Sequence, residues 1–134
     1  MRGKFLEKLA LNYNSNVYIT TPITELIDYN GNTRKELREN KRVFNFVTLG
    51  RLTWEKGFKV LLFSFAKFLN HQENDLMKYN LIIAGDGPDR SEIESFSHKL
   101  GLSSNIQFVG WLSTESQKRI FWSSADAHIL PTIN

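Results

Sequence analysis

The sequence of 134 residues contains no cysteine, which excludes disulfide bonds and thiolate chemistry. It also lacks any window that approaches the roughly 20 apolar residues of a membrane-spanning helix. The N-terminal stretch MRGKFLEKLALNYNS carries early positive charge but no continuous apolar core of signal-peptide length. These absences predict a protein with no transmembrane segment and, by default, a cytoplasmic location.

The chain has no strong excess of charge of either sign. Its 17 basic and 14 acidic residues give a formal net charge of +3, and they are well mixed along the sequence. The densest run, TRKELRENKR at 33–42, alternates in sign and is typical of a solvated helix or linker. Because a nucleic-acid-binding protein usually gathers its lysines and arginines into one stripe, we expect no nucleic-acid partner.

Several catalytic and binding signatures are absent as well. The histidines at positions 71, 98 and 128 are scattered, and none has a second histidine at ligand spacing, so no metal site is expected. No Ser-His-Asp arrangement or nucleophile elbow occurs. Neither the dinucleotide fingerprint G-x-G-x-x-G nor the P-loop G-x-x-x-x-G-K-[ST] follows the first predicted strand. The chain therefore matches none of the familiar phosphate loops.

The sequence does contain a repeated alternation of apolar and amphipathic segments. Apolar runs of strand length lie at 44–49, 80–85, 105–110 and 125–132, and helix-like segments separate them. Strands that are buried on both faces and joined through helices pair in parallel by right-handed crossovers. We therefore predict an α/β fold with a Rossmann-like, three-layer parallel sheet, whose four main strands follow the spatial order 3-2-1-4.

The predicted sheet accounts for residues 43–134, which we interpret as one domain. The preceding residues 1–42 fit the alternation less well and are interpreted as an entry segment or linker, or as the remnant of a preceding domain. Within them, the stretch 16–27 has the residues of a strand and a turn, and YNGN at 29–32 is a turn signal.

The loop after the first predicted strand, GRLTWEKG at 50–57, is the main candidate site. Arg51 directly follows the glycine that ends the strand, and Lys56 directly precedes the glycine that opens the helix. A guanidinium fork, a lysine ammonium and a helix N-terminus together suit a diphosphate. Two solvated cations on a polar loop would give the same pattern, and the spacing alone does not decide between these interpretations.

Two further loops carry candidate residues. Asp86 could belong to a site, but a turn or N-cap aspartate is the commoner role at such a position, and Pro88 suits the first position of the following helix. Gly110 would let the chain approach a flat ligand closely. Trp111 either covers such a ligand or, more commonly for a tryptophan, caps the core.

Four motifs, taken in order, resemble those of one enzyme family. GRLTWEKGFKVLL, LIIAGDGPDRSEIE, NIQFVGWLSTE and SSADAHILPT are similar to the donor-binding domain of the retaining, two-domain group-one glycosyltransferases of the GT-B fold. The resemblance runs from about residue 44 to residue 132. It implies a nucleotide-diphosphate sugar substrate of the uridine or guanosine type, bound at the switch point of the sheet without a cofactor or a required metal. It also implies an unknown sugar acceptor and a role such as polysaccharide biosynthesis.

The resemblance also implies roles for particular residues. Arg51 and Lys56 match the pair that grips the donor diphosphate and stabilises the charge that develops on the leaving group. The segment that receives the nucleotide base, largely through main-chain groups, matches Gly110, Trp111 and Leu112. The residues implied in diphosphate binding are Gly50, Arg51, Lys56 and Thr132.

Two departures from the family pattern bear on activity. The family places two glutamates after the Pro-Ser/Thr turn, at positions that would follow Asn134, and a second domain carries the acceptor site and usually a catalytic histidine. We therefore interpret the chain as a truncated half of the C-terminal domain, with no catalytic residue of its own and no activity alone. A full-length parent would transfer the sugar and could be membrane-peripheral.

Truncation would leave the fourth predicted strand, with Ala127–Leu130, as an edge with unpaired backbone groups. We expect either self-association through this edge or its coverage by the N-terminal segment. An exposed edge could also bind another chain, so a non-catalytic α/β interaction module is an alternative function. Related two-domain enzymes, such as a nucleotide-sugar epimerase or a glycogen-type phosphorylase, are further alternatives that the ordered motifs fit less well.

Overall fold

The computed structural model describes residues 18–20, 42–72 and 76–131, so the predicted turn at 29–32 and most of the charged run at 33–42 lie outside it. Within these ranges the chain forms five strands, three α-helices and a 3₁₀ turn. The strands are β1 (Tyr18–Thr20), β2 (Val43–Leu49), β3 (Lys78–Ala84), β4 (Ile106–Gly110) and β5 (Ala127–Leu130). The helices are α1 (Phe58–Asn70), α2 (Arg90–Lys99) and α3 (Glu115–Ser124), and the 3₁₀ turn, Trp54–Lys56, precedes α1.

The strands form a sheet in the order β4-β3-β2-β5-β1. β2 pairs in parallel with β3 on one side and with β5 on the other, and β3 pairs in parallel with β4. The four strands predicted from the sequence correspond to β2, β3, β4 and β5, so the predicted order 3-2-1-4 is confirmed. The chain order reverses between β2 and β5, which is where ligands of doubly wound folds bind.

The outer edge of β5 is covered by β1. The two strands are antiparallel, with Tyr18 opposite Leu130 and Thr20 opposite His128. This pairing is one of the two outcomes expected for that edge, namely coverage by the N-terminal segment. The outer side of β5 is therefore paired within the chain, which removes the unprotected edge that was expected to attract another strand.

The two faces of the sheet are covered by different helices, which gives the predicted three layers. Successive side chains of a strand point to opposite faces, so Phe46 and Val47 of β2 enter different cores. Phe46 packs with residues of α1 and α2 and meets Phe68 edge to face, with 5.6 Å between ring centroids. Val47 packs in a smaller core with Phe121 of α3. The sheet is thus buried on both sides.

Two helix ends follow their sequence signals, and a third does not. Thr114 and Gln117 have the spacing of a capping box and form one at the start of α3, with the Gln117 N–H donating to the Thr114 hydroxyl at 3.1 Å. Gly101 takes a φ of 74° directly after the residue that caps the end of α2. The prediction for Pro88 is wrong, because α2 begins two residues later and Asp89 is its N-cap residue.

A polar network fastens the amino end of β2 to the segment between α3 and β5. The Asn45 N–H donates to a carboxylate oxygen of Asp126 at 2.8 Å, and the Asp126 N–H donates to the Asn45 carbonyl at 2.8 Å. The Asn45 side chain donates to the Ser124 carbonyl and accepts from the Asn80 amide, both at 3.0 Å. These bonds fix where β5 begins beside β2, so the SSAD part of the last motif has a structural role.

Replacing Asp126 by alanine should lower the free energy of unfolding by about 1–3 kcal/mol, because the partly buried Asn45 N–H loses its acceptor. Asp126→Asn keeps a carbonyl oxygen at the same place and should lose less. Urea unfolding followed by circular dichroism measures both variants. Equal losses for the two substitutions would show that the negative charge, and not the acceptor, stabilises this junction.

His128 lies in β5, on the face that packs against α3. Its ring meets Trp122 edge to face, with 4.9 Å between ring centroids. The buried Nε2 atom has no hydrogen-bond partner among the described residues. Burial lowers the pKa of the imidazole, because the charged form loses its solvation. His128 is therefore a packed histidine whose neutral form the fold favours.

The fold should lose stability as the pH falls below about 6.5, the usual pKa of histidine in an unfolded chain. Because the folded-state pKa of His128 is lowered, the unfolded chain takes up the proton first, and the loss continues until the folded-state pKa is reached. His128→Phe should flatten this dependence. Urea midpoints at about pH 7.5 and about pH 5.5 measure it. An equal change of the urea midpoint with pH in the variant and in the wild type would show that His128 does not cause the loss of stability.

Candidate functional site

The loops that follow β2, β3 and β4 meet at the carboxyl edge of the sheet. The Gly50 N–H donates to the Ala84 carbonyl at 3.1 Å. The Gly85 N–H donates to the Gly110 carbonyl at 2.7 Å. Each loop is thus hydrogen-bonded to its neighbour, so the candidate segments that are far apart in the sequence lie next to one another.

Two glycines in the loop after β3 allow this close contact. A Cβ atom at Gly85 would lie 1.9 Å from the Gly50 carbonyl oxygen, and one at Gly87 would lie 2.3 Å from the Leu52 carbonyl oxygen. Gly85 also has a φ of 122°, which residues with a side chain rarely adopt. These glycines therefore serve the packing of one loop against another.

Arg51 and Lys56 both lie exposed in the loop 50–57. Neither side chain forms an ion pair or a hydrogen bond with any residue of the described ranges. Gly57 follows Lys56 with a φ of 79° and turns the chain into α1. No side chain caps α1 and its first turn contains no acidic residue, so its first N–H groups and its partial positive charge remain available to an anion.

The middle of this loop is held by α2. The Trp54 N–H donates to the carboxylate of Asp89 at 2.8 Å, and the Trp54 indole N–H donates to the Glu92 carboxylate at 3.0 Å. The indole also meets Phe96 edge to face, with 5.9 Å between ring centroids. None of these residues was among the predicted candidates. The available signal was a tryptophan in a polar loop, which indicates that the loop packs on a neighbour.

Asp86 is a turn residue, as the sequence pattern favoured. Its carboxylate accepts from the Gly87 N–H at 2.8 Å and pairs with Arg90 at 3.7 Å. Arg90 also donates to the Glu94 carboxylate at 2.8 Å, and this hydrogen bond raises the pKa of the guanidinium. A Cβ atom at Gly110 would lie 3.5 Å from Arg90 Nη1, so the guanidinium lies beside the loop that follows β4.

The segment Gly110–Leu112 begins with a turn that needs glycine, since Gly110 has a φ of 76°. The Leu112 side chain packs, partly buried, against the core beneath α3. The Trp111 side chain is 70% exposed. The expectation that Trp111 caps the core is therefore wrong, and its ring is open to a ligand.

A cavity of 310 Å³ lies beside this segment, between α3 and the strands β3 and β4. Arg51 and Lys56 do not line it, so the cavity and the cation loop are separate features. Its apolar lining consists of Ile82, Val109, Leu112, Ile120 and Phe121.

The candidate residues of the loops after β2 and β4 thus lie at one edge of the sheet, whereas Thr132 lies outside the described residues. No cluster of three acidic, histidine or cysteine side chains that could hold a metal ion occurs in the part of the chain that the structure describes. None of the described helices has the length and apolar character that crossing a membrane requires.

A parallel sheet of order 3-2-1-4 agrees with the family that the sequence comparisons identify. The family model described as "Glycosyl transferases group 1" matches residues 30–134. Because this match covers most of the chain, the chain belongs to the group 1 glycosyltransferases, which are enzymes.

Individual relatives match a similar part of the chain. An uncharacterized glycosyltransferase of Methanocaldococcus jannaschii is 28% identical over 97 residues, which cover 72% of this chain and 23% of that protein. The lipopolysaccharide core biosynthesis glycosyltransferase LpsD of Rhizobium meliloti is 30% identical over 97 residues, with 72% and 25% covered. The chain therefore spans about a quarter of the length of these curated relatives. A solved structure, the apo form of the lipopolysaccharide outer core galactosyltransferase WaaB, matches at 24% identity and a TM-score of 0.46, with 66% of this chain and 23% of that chain covered.

Gly85→Ala should lower the free energy of unfolding by at least about 2 kcal/mol, because the added Cβ meets the Gly50 carbonyl and the φ of Gly85 strains an alanine. Gly50→Ala is the matched control, since a Cβ there meets no atom within 4 Å. Urea unfolding of the two variants gives the comparison. Similar small losses for both would contradict the close approach of the two loops.

Proposed function

We propose that this chain binds a nucleotide-diphosphate sugar, of the uridine or guanosine type, as the donor for a glycosyl transfer. One observation carries the proposal, the pair of exposed cations Arg51 and Lys56 at the switch point of a group 1 glycosyltransferase sheet. The two side chains have no ion-pair partner among the residues described above, so both charges are free to meet an anion.

The two cations would act on the diphosphate in different ways. Arg51 presents a planar fork that matches two phosphate oxygens, whereas Lys56 offers a mobile point charge. The N-terminus of α1, opened by Gly57, adds N–H groups and a partial positive charge. When the sugar leaves, negative charge grows on the nucleotide diphosphate, and these groups stabilise it. Gly50 and Thr132 complete the proposed diphosphate contacts.

The nucleotide base is proposed to bind at Gly110, Trp111 and Leu112. Without a side chain, Gly110 lets the main chain approach a flat ring closely. The exposed ring of Trp111 offers an apolar surface beside it. Main-chain donors and acceptors of this segment would then form hydrogen bonds with the edge of the base. Titration with uracil and guanine nucleotides distinguishes the two bases.

We assign donor binding to this chain and sugar transfer to a protein of the length of its curated relatives, since the chain spans about a quarter of them. No catalytic residue is assigned within the chain. LpsD is named for lipopolysaccharide core biosynthesis, which supports a saccharide acceptor and a role in polysaccharide biosynthesis. The division into an entry segment at 1–42 and a donor-binding domain at 43–134, and the cytoplasmic or membrane-peripheral location, stay predictions.

A non-catalytic interaction module is the second candidate function. Its main support was an uncovered β5 edge, and that edge pairs with β1. The exposed side chains of Trp111 and Ile120 still offer apolar surface to a partner. Family membership favours a transferase over this module, and also over a nucleotide-sugar epimerase or a glycogen-type phosphorylase.

Arg51→Ala should weaken the binding of UDP or GDP by about 1.5–3 kcal/mol, the range for a hydrogen bond to a charged group. Arg42→Ala is the matched control, because Arg42 is also exposed but lies before the amino end of β2, at the opposite end of the same strand. Isothermal titration calorimetry of the wild type and both variants measures the affinities.

Equal affinities for the wild type and Arg51→Ala would exclude the diphosphate role of this arginine. Capture of a protein partner, with no effect of nucleotide on thermal stability, would favour the interaction module instead.

A further inference from the structure

We propose that Asp89 is a positioning residue for the diphosphate-binding loop. Its carboxylate holds the Trp54 N–H at 2.8 Å and thereby fixes where Lys56 and the N-terminus of α1 lie. The inference rests on the function proposed above and adds to it a residue that lies outside the loop, 35 positions further along the chain.

The carboxylate of Asp89 does not do what its place in the sequence predicts. An aspartate at the N-cap of a helix usually accepts a hydrogen bond from the N–H of the second or third helical residue. Asp89 is the N-cap residue of α2, but its side chain caps no N–H group of that helix. It accepts instead from Trp54 in a different loop. The side chain thus serves the loop after β2 and leaves its own helix without a side-chain cap.

Asp89 holds the loop at two points. Its side chain accepts from Trp54, and its main-chain N–H donates to the Leu52 carbonyl at 3.1 Å. Leu52 directly follows Arg51 in the sequence. Two further contacts of the Trp54 indole, the hydrogen bond to Glu92 and the edge-to-face contact with Phe96, orient the tryptophan on α2. Asp89 therefore binds two residues of the segment between the two cations, Leu52 and Trp54.

A short hydrogen-bonded turn connects Trp54 with Lys56 and the start of α1. The Gly57 N–H donates to the Trp54 carbonyl at 3.0 Å, and the Lys56 N–H donates to the Thr53 carbonyl at 3.1 Å. The Leu61 N–H then donates to the Gly57 carbonyl at 3.0 Å, at the start of α1. Because Lys56 lies between Trp54 and Gly57, which are joined by a hydrogen bond, a displacement of Trp54 should move the lysine and the helix start together.

The Asp89 carboxylate could affect diphosphate binding through its negative charge or through its hydrogen bond to Trp54. The two roles predict opposite changes in affinity when the carboxylate is removed. Asp89 is an acidic residue near a site proposed for a diphosphate, so the loss of its charge alone should tighten anion binding by removing repulsion. The loss of the acceptor that holds Trp54 should weaken binding, because the cations and the helix N-terminus are no longer arranged for the ligand. The direction of the change in affinity therefore separates the two roles.

The test titrates the full chain and its variants with UDP and GDP, and with uridine and guanosine. Asp89→Ala should weaken diphosphate binding about tenfold and change nucleoside binding by less than about twofold. Asp89→Asn keeps a carbonyl acceptor and should stay within about threefold of the wild type. Asp86→Ala is the charge control, since Asp86 lies in the same loop and its carboxylate accepts from Gly87 and pairs with Arg90 instead of holding Trp54.

Two further measurements keep the test independent of how well the alanine variant folds. Asp89→Glu retains the charge but moves the carboxylate by one methylene, so it should also weaken diphosphate binding, by more than about fivefold. Amide hydrogen exchange at Trp54 should accelerate in Asp89→Ala and in Asp89→Glu, and should stay slow in Asp89→Asn. This exchange reports the contact without any ligand.

Unchanged or tighter diphosphate binding in Asp89→Ala would overturn the positioning role and leave the proposed function standing. Equal weakening of nucleoside and diphosphate would overturn it too, because that pattern reports a general loss of structure. If the wild type binds neither UDP nor GDP, the proposed function fails, and the positioning role fails with it.

Discussion

The carboxyl edge of the sheet depends on the approach of the Gly50 carbonyl to Gly85. A Cβ atom at Gly85 would lie 1.9 Å from that oxygen, so only a glycine lets the loops after β2 and β3 come this close. The same two residues then donate their N–H groups, Gly50 to Ala84 and Gly85 to Gly110. The relative places of the cation loop and of the turn after β4 both depend on this close approach and on the two hydrogen bonds beside it.

The strand order and the layers could be predicted because they depend on local patterns and on a handedness rule. Apolar runs mark the strands, helix-like segments separate them, and right-handed crossovers leave few ways to arrange them. The capping box of Thr114 and Gln117 is equally local. The stretch 16–27 was expected to contain a strand, and β1 (Tyr18–Thr20) lies in it, but its pattern did not identify the strand with which it pairs. Coverage of β5 was therefore expected only as one of two outcomes.

The contacts between loops could not be predicted, because they join residues that are far apart in the sequence. An aspartate before a helix predicts a cap, and only the fold turns Asp89 toward Trp54. The bond between Asn45 and Asp126 spans 81 positions. Of the two roles weighed for Trp111, capping the core was the commoner because large aromatic side chains usually bury their surface, whereas the side chain after the turn at Gly110 is exposed. The motifs thus identified the candidate segments without indicating what holds them in place.

The antiparallel pairing of β1 with β5 connects parts of the chain that are far apart in the sequence. Its pairing sets Tyr18 beside Leu130, so two points that are more than a hundred residues apart in the sequence become neighbours on one side of the sheet. Closing so long a loop costs entropy that local pairs avoid, so we expect the parallel strands to assemble first and β1 to add afterwards.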